Sequence, residues 1–176
     1  MSTAAYRGIR SYNTGSLMEL YLLRHGIAED AHPGGTDAER QLTDEGCEKT
    51  AAAMKLARRT GVRPTLILTS PYARARQTAR IAADELGYEG ALVAIESLVP
   101  HGSPQGVWQD IRDHAGEPAI LLAGHEPLLS QLVAYLLDAP SLRVEMKKAA
   151  LVRIDVESLR GAPHGTLRWM TIPRMA

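Results

Sequence analysis

The feature that most constrains this chain is a repeated pattern of a short, nearly unbroken apolar run, a polar break, and a stretch with helical spacing. The runs are ELYLLR (19–24), TLILTS (65–70), ALVAI (91–95) and PAILLAG (118–124). Runs of this length without polar alternation suit strands buried on both faces. After the first run, Thr43 reads as the N-cap of a helix with Cys47, Ala51, Met54 and Ala57 or Arg58 on one side, ended by Gly61. Ser70-Pro71 reads as the N-cap and first-turn proline of a second helix, which buries Ala75, Ala79, Ala82 and Leu86 and stops at Gly87. Ser103-Pro104 opens a third helix with Trp108 and Ile111 inward, and Pro127 sits in the first turn of a fourth. Strands alternating with helices predict an α/β single-domain three-layer sandwich, its central sheet mostly parallel and covered by helices on both faces. ALVRIDV (150–156) and TLRWMTI (166–172) alternate apolar and polar residues and are expected as strands at or near a sheet edge.

A length of 176 residues suits one domain with a substantial core. Residues 1–17 read as a flexible N-terminal extension to a domain of 18–176, with Met18 an alternative start. Twenty basic against twenty acidic residues leave no global field for nucleic acid or an anionic membrane, so any anion must be bound locally. No apolar run is long enough to span a bilayer. The single cysteine, Cys47, falls on a predicted buried helix face and reads as packing; without an internal disulfide, a cytoplasmic setting is expected. The oligomeric state stays open.

Three of the four apolar runs end in residues of one chemical kind: Arg24-His25, Ser70 with Arg74, and His125. Parallel strands present their C-terminal ends along one sheet edge, where open α/β sheets bind ligands. Two arginines, two histidines and two helix N-termini converging there suit a phosphoryl group. A neutral imidazole is a good nucleophile, so His25 is the candidate to attack phosphorus. Arg24, Arg74 and a protonated His125 would then hold the equatorial oxygens, with no metal or cofactor in the scheme. Ser70 reads as a cap rather than a nucleophile, and His32, His101, His114 and His164 as bystanders without zinc spacing.

Arg24-His25-Gly26, LTDEG (42–46), SPYARARQTA (70–79) and GHEP (124–127) resemble the motifs of the histidine phosphatase superfamily. The short chain, LVPHG (98–102) and KKAALVRIDV (147–156) resemble its small branch, the phosphohistidine phosphatases of SixA type. The resemblance implies a phosphoglycerate mutase-like fold, His25 as the phosphorylated nucleophile, Arg24 and Arg74 holding phosphate, and His125 as the second active-site histidine. Larger members carry a general acid in the regions that here hold Glu96 and Glu126, which are therefore the two candidates. A phosphohistidine substrate tolerates a missing acid, because its imidazole carries a proton near neutral pH (free-histidine pKa about 6.5) before it leaves. The absence of a long insertion after the third strand implies an open groove that admits a protein side chain. The expected partner is thus a phosphate-bearing substrate, with phosphohistidine on a signalling protein leading. A small-metabolite phosphomonoesterase and an inactive phosphate-binding module are the alternatives.

Overall fold

The computed structural model describes residues 17–173; all of the expected extension except Leu17 lies outside them. Six strands and four helices follow in order: β1 Met18–Arg24, α1 Asp44–Arg59, β2 Leu66–Thr69, α2 Ala73–Leu86, β3 Leu92–Ala94, α3 Pro104–Asp113, β4 Ala119–Gly124, α4 Leu128–Leu136, β5 Leu151–Val156 and β6 Gly165–Thr171. Two short 3-10 turns, Asp37–Glu39 and Glu96–Leu98, lie in the loops. The sheet order is β3-β2-β4-β1-β5-β6. The first four strands run parallel, while β5 and β6 are antiparallel to their neighbours and lie at one side of the sheet, where the alternating C-terminal pattern places them.

The three layers follow from period-two alternation in the central strands. Leu20, Leu22, Leu68, Ile120 and Leu122 face one way and pack with Val107, Trp108 and Ile111 of α3 and Leu128, Leu132 and Val133 of α4. Tyr21, Leu23, Ile67, Leu121 and Ala123 face the other way, against Met54 and Ala57 of α1 and Ala79, Ala82, Ala83 and Leu86 of α2. Each such fully buried leucine or isoleucine contributes roughly 1.5–3 kcal/mol, which keeps the central strands rigid under the site they carry.

Local expectations need three corrections. The buried stripe of α1 is Gly46, Thr50, Met54 and Ala57, and Cys47 is only half-buried. The helix rotates because the backbone of residue 27 presses onto Gly46, where an added Cβ would lie 2.1 Å from the Ile27 carbonyl oxygen. Helix α2 begins at Ala73, with Tyr72 rather than Ser70 at its cap position. Pro127 sits at the cap of α4, one residue ahead of the first turn.

Candidate active site

Strand register brings the polar residues together. In β1 and β4, Arg24 pairs with Gly124, so the next residues, His25 and His125, leave adjacent parallel strands at the same level. The His25 amide continues the ladder to the Gly124 carbonyl at 3.0 Å, and the Ser70 amide continues β2 to the Ala123 carbonyl at 3.0 Å. The imidazoles of His25 and His125 lie with ring centres 5.0 Å apart, and Arg74, in the first turn of α2, donates from Nε to His25 Nε2 at 3.4 Å. His25, Arg74 and His125 are buried, at 5 %, 5 % and 1 % exposure.

Gly26 is what lets the chain turn here. Its amide donates to Thr78 Oγ1 at 3.1 Å, and Thr78 in turn donates to the Arg74 carbonyl at 2.7 Å, tying the strand end to α2. A Cβ on Gly26 would meet Thr50 Oγ1 at 2.6 Å and the Gly46 carbonyl at 2.9 Å.

The two histidines are held in defined protonation states. Nδ1 of His25 lies 2.8 Å from the Gly26 carbonyl, an acceptor only, so Nδ1 carries the proton and Nε2 keeps its lone pair. Burial, reinforced by the charge of Lys148, pushes the His25 pKa down to about 2. Ser70 Oγ accepts from the Tyr72 amide at 3.3 Å, which directs its own hydroxyl proton to His125 Nε2 at 2.9 Å. His125 then bears its proton on Nδ1, a buried atom without a hydrogen-bond partner among the described residues. Burial and then the Arg74 charge lower its pKa to about 3. His125 is thereby neutral at physiological pH, where the sequence reading expects a protonated ring against phosphoryl oxygens.

Arg24 donates to the Met146 carbonyl, and its Nε is the second buried polar atom left without a partner. Two orphaned donors, Arg24 Nε and His125 Nδ1, beside an imidazole lone pair are the complement of an oxyanion. The helix N-termini add less than expected. The amides of Ala75 and Arg76 in α2 are taken by the Tyr72 carbonyl, and in α4 those of Leu129 and Ser130 by the His125 carbonyl and Glu126 Oε1.

That last bond also defines Glu126, whose carboxylate is occupied as a side-chain acceptor at 3.1 Å for α4. Glu96 opens the 3-10 turn after β3 and is exposed. Two groups that the sequence reading passed over also belong to the neighbourhood. Asp37, in the polar loop after β1, takes Arg74 on its carboxylate at 2.9 Å and on its carbonyl, and binds Arg40 at 2.8 Å. Partial burial works to raise its pKa, but the hydrogen bonds from Arg40 and Arg74 outweigh it and hold the carboxyl below its ordinary range. Lys148 is the other, a half-buried cation whose charge reaches both histidines.

A mixed sheet whose parallel strands, with α2, gather two imidazoles and two arginines at their C-terminal ends defines an α/β protein with a candidate oxyanion site. The model of the histidine phosphatase superfamily (branch 1) matches residues 20–97. An uncharacterised protein of Picosynechococcus is 34% identical over 151 residues, 84% of this chain and 90% of that protein. Phosphohistidine phosphatase SixA of Escherichia coli is 27% identical over 159 residues, 89% of this chain and 94% of that protein. A solved structure of protein histidine phosphatase SixA complexed with tungstate superposes with a TM-score of 0.77 at 26% identity, covering 89% of this chain and 97% of that one. A SixA-like structure from Agrobacterium tumefaciens gives 0.74 at 23% identity, covering 89% of this chain and 99% of that one, a likeness of fold. The chain belongs to the histidine phosphatase superfamily, with the phosphoglycerate mutase-like fold of its SixA members, and is a phosphatase of that superfamily.

Proposed function

We propose that the protein hydrolyses phosphohistidine on a signalling protein through a phospho-His25 intermediate. Nε2 of His25 attacks phosphorus while the P–N bond to the substrate imidazole breaks. That imidazole leaves neutral, because it already carries a proton on its other nitrogen. Water then attacks phospho-His25, releasing inorganic phosphate and restoring the imidazole. Arg24, Arg74 and the Nδ1–H of His125 hold the equatorial oxygens through both steps, and the route uses no metal. The carrying observation is the tautomer of His25: its Nδ1 proton is fixed on the Gly26 carbonyl at 2.8 Å, so Nε2 offers a lone pair at all physiological pH values.

The choice of phosphohistidine is supported by the engagement of one acid candidate, Glu126, whose carboxylate accepts from the Ser130 amide of α4, while Glu96 is exposed. An imidazole leaving group tolerates this and an alkoxide does not. The similarity to the E. coli phosphohistidine phosphatase points the same way. A small-metabolite phosphomonoesterase is the second reading, favoured by a shared fold with a putative alpha-ribazole-5'-P phosphatase at 21% identity. Turnover of a phosphohistidine peptide against a panel of sugar, nucleotide and aryl monophosphates decides between them, and faster turnover of a monoester overturns the first. Rapid quench with labelled substrate is expected to trap acid-labile phosphate on the wild type and none on His25→Ala. Absence of label on the wild type with every substrate returns the chain to a phosphate-binding module.

A further inference from the structure

The guanidinium of Arg74 is held in one orientation by a residue outside the four that the site was built from. Its two terminal nitrogens both go to Asp37: Nη1 donates to the backbone carbonyl at 2.5 Å and Nη2 to carboxylate Oδ2 at 2.9 Å. A guanidinium is planar and carries five N–H groups in a rigid fork, so two contacts to one residue fix its plane as well as its position. The Tyr72 ring lies against that plane, with Arg74 Cζ 5.2 Å from the ring centre. The end of the fork is therefore occupied. Its side edge, made of Nε–H and the second N–H of a terminal nitrogen, is turned toward the nucleophile, with Nε 3.4 Å from His25 Nε2.

Asp37 can act as a fixed anchor because its loop is closed on itself and on α2. The Glu29 amide donates to the Gln41 carbonyl at 2.9 Å, Arg40 Nε to the Glu29 carbonyl at 2.7 Å, and Arg40 Nη1 to Asp37 Oδ1 at 2.8 Å. The Leu42 amide donates to Gln77 Oε1 at 2.7 Å, three residues along α2 from Arg74. Charge compensation alone does not require this arrangement. The Arg74 side chain is buried and that of Asp37 is exposed, so one carboxylate contact to either terminal nitrogen would pair the buried charge. The carbonyl contact adds direction rather than charge.

We propose that Asp37 is a positioning residue for the phosphoryl reaction: by taking the end of the Arg74 fork it aims the side edge at the oxygens of a phosphoryl group on His25. The proposal rests on the reading of this pocket as the phosphoryl site. Attack by Nε2 uses the lone pair that Arg74 Nε now faces, so phosphorus takes that place and Nε–H passes to a non-bridging oxygen, with the neighbouring terminal N–H beside it. A fork pinned at its far end makes this exchange with little rotation. These oxygens are common to all substrates, so Asp37 acts equally on every leaving group.

Two substitutions separate direction from charge: Asp37→Asn removes the negative charge but keeps an acceptor oxygen for Nη2, and Asp37→Ala removes both. Calorimetric binding of tungstate, as a phosphate mimic, and kcat/KM for aryl phosphates of low and high leaving-group pKa are measured for each, with thermal unfolding alongside. Asp37→Ala is expected to weaken tungstate and to lower kcat/KM ~10–100-fold, by the same factor for both leaving groups, and Asp37→Asn to recover most of that loss. In an Arg74→Lys background, which has no fork to aim, Asp37→Ala is expected to cost less than about threefold. Tungstate affinity in Asp37→Ala equal to or above the wild type overturns the proposal, because removing a nearby negative charge by itself favours an anion. So do equal losses in the Ala and Asn variants, full additivity with Arg74→Lys, or a loss that grows with leaving-group pKa, the mark of a proton donor. A wild type that binds no tungstate refutes the pocket itself, a separate failure.

Discussion

Acid should destabilise this protein through its two buried imidazoles, and by an amount that can be worked out. An unfolded histidine titrates near 6.5, whereas His25 and His125 in the folded chain sit at about 2 and about 3. Between those values the unfolded chain binds protons that the folded chain refuses, so stability rises with pH and is lost as pH falls below about 6.5. Each withheld proton costs about 1.4 kcal/mol per pH unit, hence about 2 kcal/mol per histidine at pH 5 and about 4 kcal/mol for the pair. Their burial, at 5 % and 1 % exposure, leaves little solvent screening to reduce this. That is a large share of the 5–15 kcal/mol typical of a domain. The assay is urea denaturation at pH 7 and pH 5, in a buffer free of phosphate and sulfate, for the wild type and the double variant His25→Asn/His125→Asn. Every other titrating group is common to both proteins, so the difference of differences isolates the pair. The wild type should lose about 4 kcal/mol more than the double variant between the two pH values. Equal losses would show that the imidazoles accept protons in the folded state and would refute the neutral state assigned to the pair.

Further expectations follow from individual contacts. Ser70→Ala removes the hydroxyl that donates to His125 Nε2, freeing the ring to exchange tautomers; kcat should fall at least ~10-fold with a stability loss of only about 1 kcal/mol, read by steady-state kinetics and denaturation. Gly26→Ala places a Cβ 2.6 Å from Thr50 Oγ1 and 2.9 Å from the Gly46 carbonyl, and should cost roughly 1–3 kcal/mol or more in a denaturant titration. Glu126→Gln and Glu96→Gln should change the kcat for phosphohistidine peptide less than about threefold, since in the proposed route the imidazole leaves neutral and needs no acid.

Much of this architecture is written in the chain as period and punctuation. The four unbroken apolar runs announce a parallel set of strands, and the recurrence of Arg and His at their ends anticipates the convergence of His25, Arg74 and His125 at one edge. The inward faces of α2 and α3 follow directly from alanine and tryptophan spacing. Other features depend on register, which no local window contains. Ser70-Pro71 has the look of a helix start, yet β2 pairs with β4 so that Thr69 lies opposite Ala123, which sets Ser70 beside His125 instead. Lys148 lies in an aperiodic loop, and its charge acts on the two histidines only because β5 pairs antiparallel with β1, Leu151 opposite Leu23. Asp37 is one of several acids in a polar loop, and nothing adjacent to it in sequence marks it as the partner of Arg74. The misread face of α1 has the same origin: the approach of residue 27 to Gly46 is a tertiary contact that rotates an otherwise ordinary amphipathic helix.

The sheet order has a consequence for biosynthesis. Strand β1 lies between β4 and β5, partners that emerge about a hundred and more residues later, so the first strand made has no neighbour in the sheet until most of the chain exists. A nascent chain that stops short of residue 119 holds His25 but lacks both the strand that aligns it and the second imidazole. If the proposed site is right, oxyanion affinity in a truncation series should therefore appear only once β4 is complete.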